Sequence, residues 1–123
     1  MAAGIRIILN MQRCRRCITG PVIIEEMFLK ALSSTDLEVL RVSVLPFQNG
    51  TANFHADLSE SHVSGGTYKR ERYAGAEISV CHETRVNTES ARILARRLIM
   101  GFDPEIFDFD NPDHYLELPW QCE

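Results

Sequence analysis

No stretch of this 123-residue chain comes near the roughly 20 consecutive apolar residues that a membrane-crossing helix needs. The N-terminus also lacks the layout of a secretory leader. Its apolar run, Ile5–Leu9, is short, and arginines follow it rather than precede it. The expected setting is the cytoplasm, or something assembled there, with no membrane partner. Acids are missing from residues 1–18, which carry Arg6, Arg13, Arg15 and Arg16, and bases are missing from residues 103–123, which carry seven acids. The basic segment is short and the net charge is −4, so no nucleic-acid partner is expected. Cysteine is sparse. Cys14, Cys17, Cys81 and Cys122 do not make a disulfide framework in a chain of this kind. There is no internal repeat and no low-complexity segment. What is present is an ordinary globular composition, 45% apolar and 24% charged, with the length of a single domain spanning residues 1–123.

Ile5–Leu9 reads as a first strand or as the start of a helix, since five residues show too little periodicity to decide. Gly20-Pro21 breaks the chain, and Pro21 suits a helix start. From Val22 to Leu32 the spacing is helical, with Ile24, Met27, Phe28, Ala31 and Leu32 on one face. Leu37–Leu45 alternates as a strand and Pro46 stops it. Residues 47–66, rich in Asn, Ser, His and Gly, read as a long loop, functional or mobile. A second strand region follows over Tyr68–His82, with Ala76, Ile78 and Val80 on one face. Asn87 is a good N-cap for a last helix whose buried stripe is Ala91, Leu94, Ala95, Leu98 and Phe102, closed by Gly101 and Pro104. Ile106–Phe109 reads as a short final strand inside an acidic C-terminal tail, residues 103–123. The expected fold class is α+β: a small mixed or antiparallel sheet with two main helices on one face.

Candidate chemistry is thin. Cys14-Arg-Arg-Cys17 has the spacing of half a zinc knuckle or of a redox pair. No second pair repeats the spacing, and Gly20-Pro21 starts the helix too late to act on Cys14. His55 and His62 share the loop with Asp57 and Glu60, a set read as solvated. Cys81 and His82 are neighbours on a strand and point to opposite faces, so they do not form a nucleophile pair with each other. Ser64-Gly65-Gly66-Thr67 lacks the lysine and spacing of a phosphate loop and reads as a turn. No catalytic, cofactor or metal residue is expected. The helix–strand–loop–strand–helix order also describes small tautomerases, and Phe102-Asp103-Pro104-Glu105-Ile106 resembles the turn into their last strand. Their N-terminal proline is absent, because residue 2 is Ala. A tautomerase-like or Cys-x-x-Cys redox or metal protein therefore stands as the alternative.

The block Leu40-Arg41-Val42-Ser43-Val44-Leu45-Pro46, then Arg72-Tyr73-Ala74-Gly75-Ala76-Glu77-Ile78-Ser79-Val80, then Asn87 and the stripe Ala91-x-x-Leu94-Ala95-x-x-Leu98-x-x-x-Phe102 resembles the centre of phage tail terminator and tail completion proteins. The resemblance covers Leu37–Phe102. It implies a non-enzymatic structural protein of the virion, assembled in the host cytoplasm. It further implies a homo-oligomeric ring that ends the tail tube and joins it to the head connector, in a ferredoxin-like or tail-terminator-like layout. The residues expected at its interfaces are Phe47, Phe54, His55, Tyr68, Arg70, Arg72, Tyr73 and Trp120, since aromatics and arginine anchor most protein contacts.

Overall fold

The computed structural model describes residues 4–16, 20–48, 50–82 and 86–110. Their elements run β1 (Gly4–Cys14), α1 (Pro21–Ser33), β2 (Val39–Pro46), β3 (Thr51–Leu58), β4 (Ser61–Tyr68), β5 (Tyr73–Cys81), α2 (Thr88–Phe102) and β6 (Pro104–Asp110). The strands form one sheet in the order β2-β3-β4-β5-β1-β6, with every neighbouring pair antiparallel. α1 packs over β2 and β3, and α2 over β1 and β5, so one face is covered by helices. The chain is an α+β protein with an antiparallel sheet and two helices, as expected.

The first apolar run is a strand. Ile5, Ile7, Leu9 and Met11 are buried and alternate with half-exposed Arg6, Ile8 and Asn10. This is the two-residue period of a strand with one face in the core. α1 buries Ile24, Phe28, Ala31 and Leu32 of the stripe read from its spacing, with Met27 only partly buried, and α2 buries Ala91, Leu94, Ala95, Leu98 and Phe102. Between them Phe28 meets Phe54 edge-on at 4.9 Å, and Phe54 meets Phe102 at 5.9 Å. Each such fully buried side chain stabilises the fold by about 1.5–3 kcal/mol.

The long loop expected over residues 47–66 is not there. Residues 51–68 form the β3–β4 hairpin, joined by Ser59-Glu60. Ala52, Phe54, Ala56 and Leu58 point inward from β3, and Val63 and Thr67 from β4. Gly65 takes an inward position too. A Cβ there would run into the Phe54 ring and the Gly75 carbonyl, so the missing side chain makes room for Phe54. Polar residues at the outward positions face water, which an antiparallel sheet tolerates on one side.

Three smaller expectations also change. The second strand region does not start at Tyr68, because Lys69–Arg72 is the turn between β4 and β5. α2 continues through Gly101 to Phe102, and Asp103, at φ 50, supplies the left-handed cap and donates its N–H to the Ile99 carbonyl at 2.8 Å. Asn87 sits at the N-cap but its side-chain amide donates to the Cys81 carbonyl at 2.7 Å instead of accepting from the helix. The short final strand read over Ile106–Phe109 lies within β6, which pairs with β1.

Candidate functional site

The other face of the sheet carries no helix among the described residues. Its outward positions form cross-strand rows: Asp57–His62–Ser79–Arg6, then His55–Ser64–Glu77–Ile8, then Asn53–Gly66–Gly75–Asn10. The rows bring together groups far apart in sequence. Arg41 donates to Asp57 Oδ2 at 3.1 and 3.2 Å, and the His55 Nε2 to Asp57 Oδ1 distance is 2.8 Å. The hydrogen bond with His55, and then Arg41, holds the Asp57 carboxyl below its usual range. The His55 and His62 rings stack at 5.9 Å and 18°. His62 Nε2 lies 3.9 Å from Glu77 Oε1, and Arg6 donates its Nε to Glu77 Oε2 at 2.6 Å.

Toward the far end, Gly66 and Gly75 floor a hollow of about 490 Å³, walled by Tyr68, Tyr73, His55 and Glu77. Tyr68 and Tyr73 lie 5.7 Å apart, and Tyr73 donates its hydroxyl to Asn10 Oδ1 at 2.6 Å. Burial, with a contribution from Tyr68, pushes the Tyr73 phenol above its ordinary value. The volume is that of a small-molecule pocket.

At the near end stands Ser61, directly after the Ser59-Glu60 turn. Its φ is 123, a conformation that side chains rarely adopt. A glycine would be the usual occupant of such a hairpin position. The Glu60 carbonyl, one atom before Ser61, accepts the Cys81 N–H at 2.8 Å. The Ser61 hydroxyl lies 3.4 Å from Ser79 Oγ and 3.5 Å from His62 Nδ1. Cys81 is buried. Behind it, His82 Nδ1 accepts the Asn87 N–H at 3.1 Å, and burial lowers the His82 pKa. A strained hydroxyl next to a polarised carbonyl is suited to acyl transfer within the chain.

The residues expected at interfaces are dispersed. His55, Tyr68 and Tyr73 share the open face, whereas Phe54 is fully buried and cannot anchor a surface contact. Phe47 is exposed after β2 and Arg70 is exposed in the β4–β5 turn. Arg72, in the same turn, donates its Nε to the Cys14 carbonyl at 3.1 Å, fastening the turn to β1. Trp120 lies outside the described residues, as do Cys17 and Cys122. Cys14 is buried, which pushes its thiol pKa up. Among the described residues no group of three His, Cys, Asp or Glu could hold a metal ion. Ser61, His62, Glu77 and Cys81 were not singled out by the sequence patterns as functional. The signal available was the two-residue turn Ser59-Glu60 between two alternating runs.

Fold and site together define a two-layer α+β protein whose chemically distinctive surface is the uncovered face of its sheet. The family model for S-adenosylmethionine decarboxylase matches residues 5–102, and the chain belongs to that family. Among solved structures, the crystal structure of the adenosylmethionine decarboxylase from Aquifex aeolicus VF5 is similar with a TM-score of 0.78. It covers 89% of this chain and 88% of that one at 19% identity, a level that speaks for the fold. No curated protein matches.

These findings overturn the phage-tail resemblance. With it fall the ring, the tail-tube and head-connector partners, the virion location and the absence of enzymatic activity. Neither the tautomerase nor the Cys-x-x-Cys alternative is supported. The physical reason is that a strand, a hairpin and an amphipathic helix recur in many α+β folds, so the hydrophobic pattern carried no family information.

Proposed function

We propose that this chain decarboxylates S-adenosylmethionine or a close analogue, using a carbonyl group made from Ser61. Family membership supports the reaction class. Removing the carboxyl group of an amino acid leaves an electron pair on its α-carbon, which needs an electron sink. The chain's two lysines do not offer an anchor for one at the hollow, since Lys30 sits on α1 and Lys69 in the β4–β5 turn. The observation that carries the reading is Ser61 itself, strained at φ 123 and following a carbonyl held by a backbone N–H.

The conversion needs only water. Ser61 Oγ attacks the Glu60 carbonyl carbon, the peptide C–N bond breaks, and an ester replaces it while the Ser61 nitrogen takes the proton. Loss of the Ser61 α-hydrogen then expels the Glu60 carboxylate as a new C-terminus. The dehydroalanyl residue left behind exchanges its nitrogen for the oxygen of water, releasing ammonia and leaving a 2-oxo acyl terminus. That terminus supplies the electron sink when formed. The Cys81 N–H stabilises the oxyanion of the first step. The glycine floor admits a flat ring, and the Tyr68 and Tyr73 faces, with Glu77, suit a permanent cation such as a sulfonium.

The test is release of labelled carbon dioxide from carboxyl-labelled S-adenosylmethionine. The wild-type chain should release it and Ser61→Ala should not. Equal release by both would contradict the role of Ser61, and no release by either would contradict the reaction.

A further inference from the structure

The Ser61 proton has to travel from Oγ to the departing Ser61 nitrogen, and a group beside the hydroxyl must carry it. We infer that His62 is the base that activates Ser61 for attack on the Glu60 carbonyl, and that Glu77, clamped by Arg6, is the positioning residue that orients it. The inference rests on the reading of Ser61 given above.

Two acceptors lie near the Ser61 hydroxyl, Ser79 Oγ at 3.4 Å and His62 Nδ1 at 3.5 Å. A serine hydroxyl is a far weaker base than a neutral imidazole, so the proton goes to His62. Contacts of this length are usual before reaction, and they tighten as the transition state forms. The other ring nitrogen of His62 lies 3.9 Å from Glu77 Oε1, on the opposite side of the ring. Glu77 in turn receives two guanidinium nitrogens of Arg6, at 2.5 and 2.6 Å. The order hydroxyl, imidazole, carboxylate repeats the logic of a nucleophile, its base and an orienting acid. A carboxylate beside Nε2 favours the tautomer that carries its proton there, which leaves Nδ1 free to accept. The stacked ring of His55 limits tilting of His62 from the other side.

In the balanced step, Ser61 Oγ–H breaks and Nδ1–H forms as Oγ bonds to the Glu60 carbonyl carbon. As the C–N bond breaks, the imidazolium returns that proton to the departing Ser61 nitrogen. His62 ends the step neutral and is ready to act again.

Several charged or titratable groups bear on His62. They are His55 and Asp57 on β3, and Glu77 on β5, with Arg6 on β1 behind Glu77 and Arg41 on β2 behind Asp57.

The experiment follows cleavage at Glu60–Ser61 by intact mass at timed intervals after cell-free synthesis, with and without added imidazole. Five chains are compared: wild type, Ser61→Ala, His62→Ala, Glu77→Gln and Ser79→Ala. His62→Ala should cleave about 100-fold more slowly or worse, and recover in part when imidazole is added. Glu77→Gln should lose less rate and gain little from added imidazole, because His62 is still present. Ser79→Ala should slow cleavage less than His62→Ala does. Rescue by imidazole separates loss of the base from misfolding, because a misfolded chain would not respond. Cleavage of His62→Ala at the wild-type rate, in a sample where Ser61→Ala stays whole, overturns the role of His62 alone. A wild-type chain that never cleaves overturns this role together with the reading of Ser61.

Discussion

The two faces of the sheet obey different rules. On the covered face the alternate residues of β1, β3 and β5 are almost all apolar, and Phe28, Phe54 and Phe102 lock them to the helices. On the open face these strands and β4 between them present Arg6, His55, His62, Glu77 and Ser79 at neighbouring register positions. One face stabilises the fold. The other holds charge and a strained serine that the first face must support. A single strand shows the contrast: Phe54 is fully buried, while His55, the next residue, is half exposed and bonded to Asp57.

The contrast is broken most severely from the covered side. Phe54→Ala should lower stability by about 3–5 kcal/mol, measured by denaturant unfolding. Glu77→Gln on the open face should cost less than about 1 kcal/mol, because its ion pairs are partly exposed. If the two costs were equal, the division of labour between the faces would be wrong. The next effect comes from the glycine that lets the faces pack. Gly65→Ala should destabilise by roughly 1–3 kcal/mol, since its Cβ must displace the Phe54 ring. A neutral result in the same unfolding assay would mean that Phe54 can move aside.

Much of the covered face was legible in the sequence. Helical spacing gave Leu94 and Leu98, Ile24 and Phe28, and strand alternation gave Ile78 and Val80. The β3–β4 hairpin was not legible as strands, because half of its positions face water. Two of its inward positions are alanines and one is Gly65, so the apolar signal is faint. The site was hidden for a related reason. With residues 47–66 read as a loop, nothing placed His62 beside Glu77 or Ser61 beside Ser79. The strain at Ser61 is a backbone angle, which no composition pattern encodes.

The strain can be measured directly. Ser61→Gly and Ser61→Ala both remove the hydroxyl, but only glycine adopts φ 123 without penalty. Ser61→Gly should be the more stable of the two by about 1–2 kcal/mol. Equal stabilities would mean that Ser61 sits in an unstrained geometry.

The smallest effect concerns His82, behind Cys81. Burial lowers its pKa from 6.5, and its Nδ1 accepts the Asn87 N–H only when unprotonated. Its contribution is therefore present above pH 6.5 and is lost as pH falls through the depressed value. Thermal midpoints of Ser61→Ala should decline more over that acid range than those of the double variant carrying His82→Gln as well. Parallel curves would remove His82 from the support of this end of the sheet.

The central claim is that Ser61 reacts with its own backbone, and the intact mass of the purified protein tests it most directly. The account predicts two fragments, residues 1–60 and residues 61–123, the second with a blocked 2-oxo acyl terminus that a hydride reagent and an amine can trap. Ser61→Ala should stay whole at 14.0 kDa. A wild-type chain that remains whole at 14.0 kDa after prolonged incubation would contradict it.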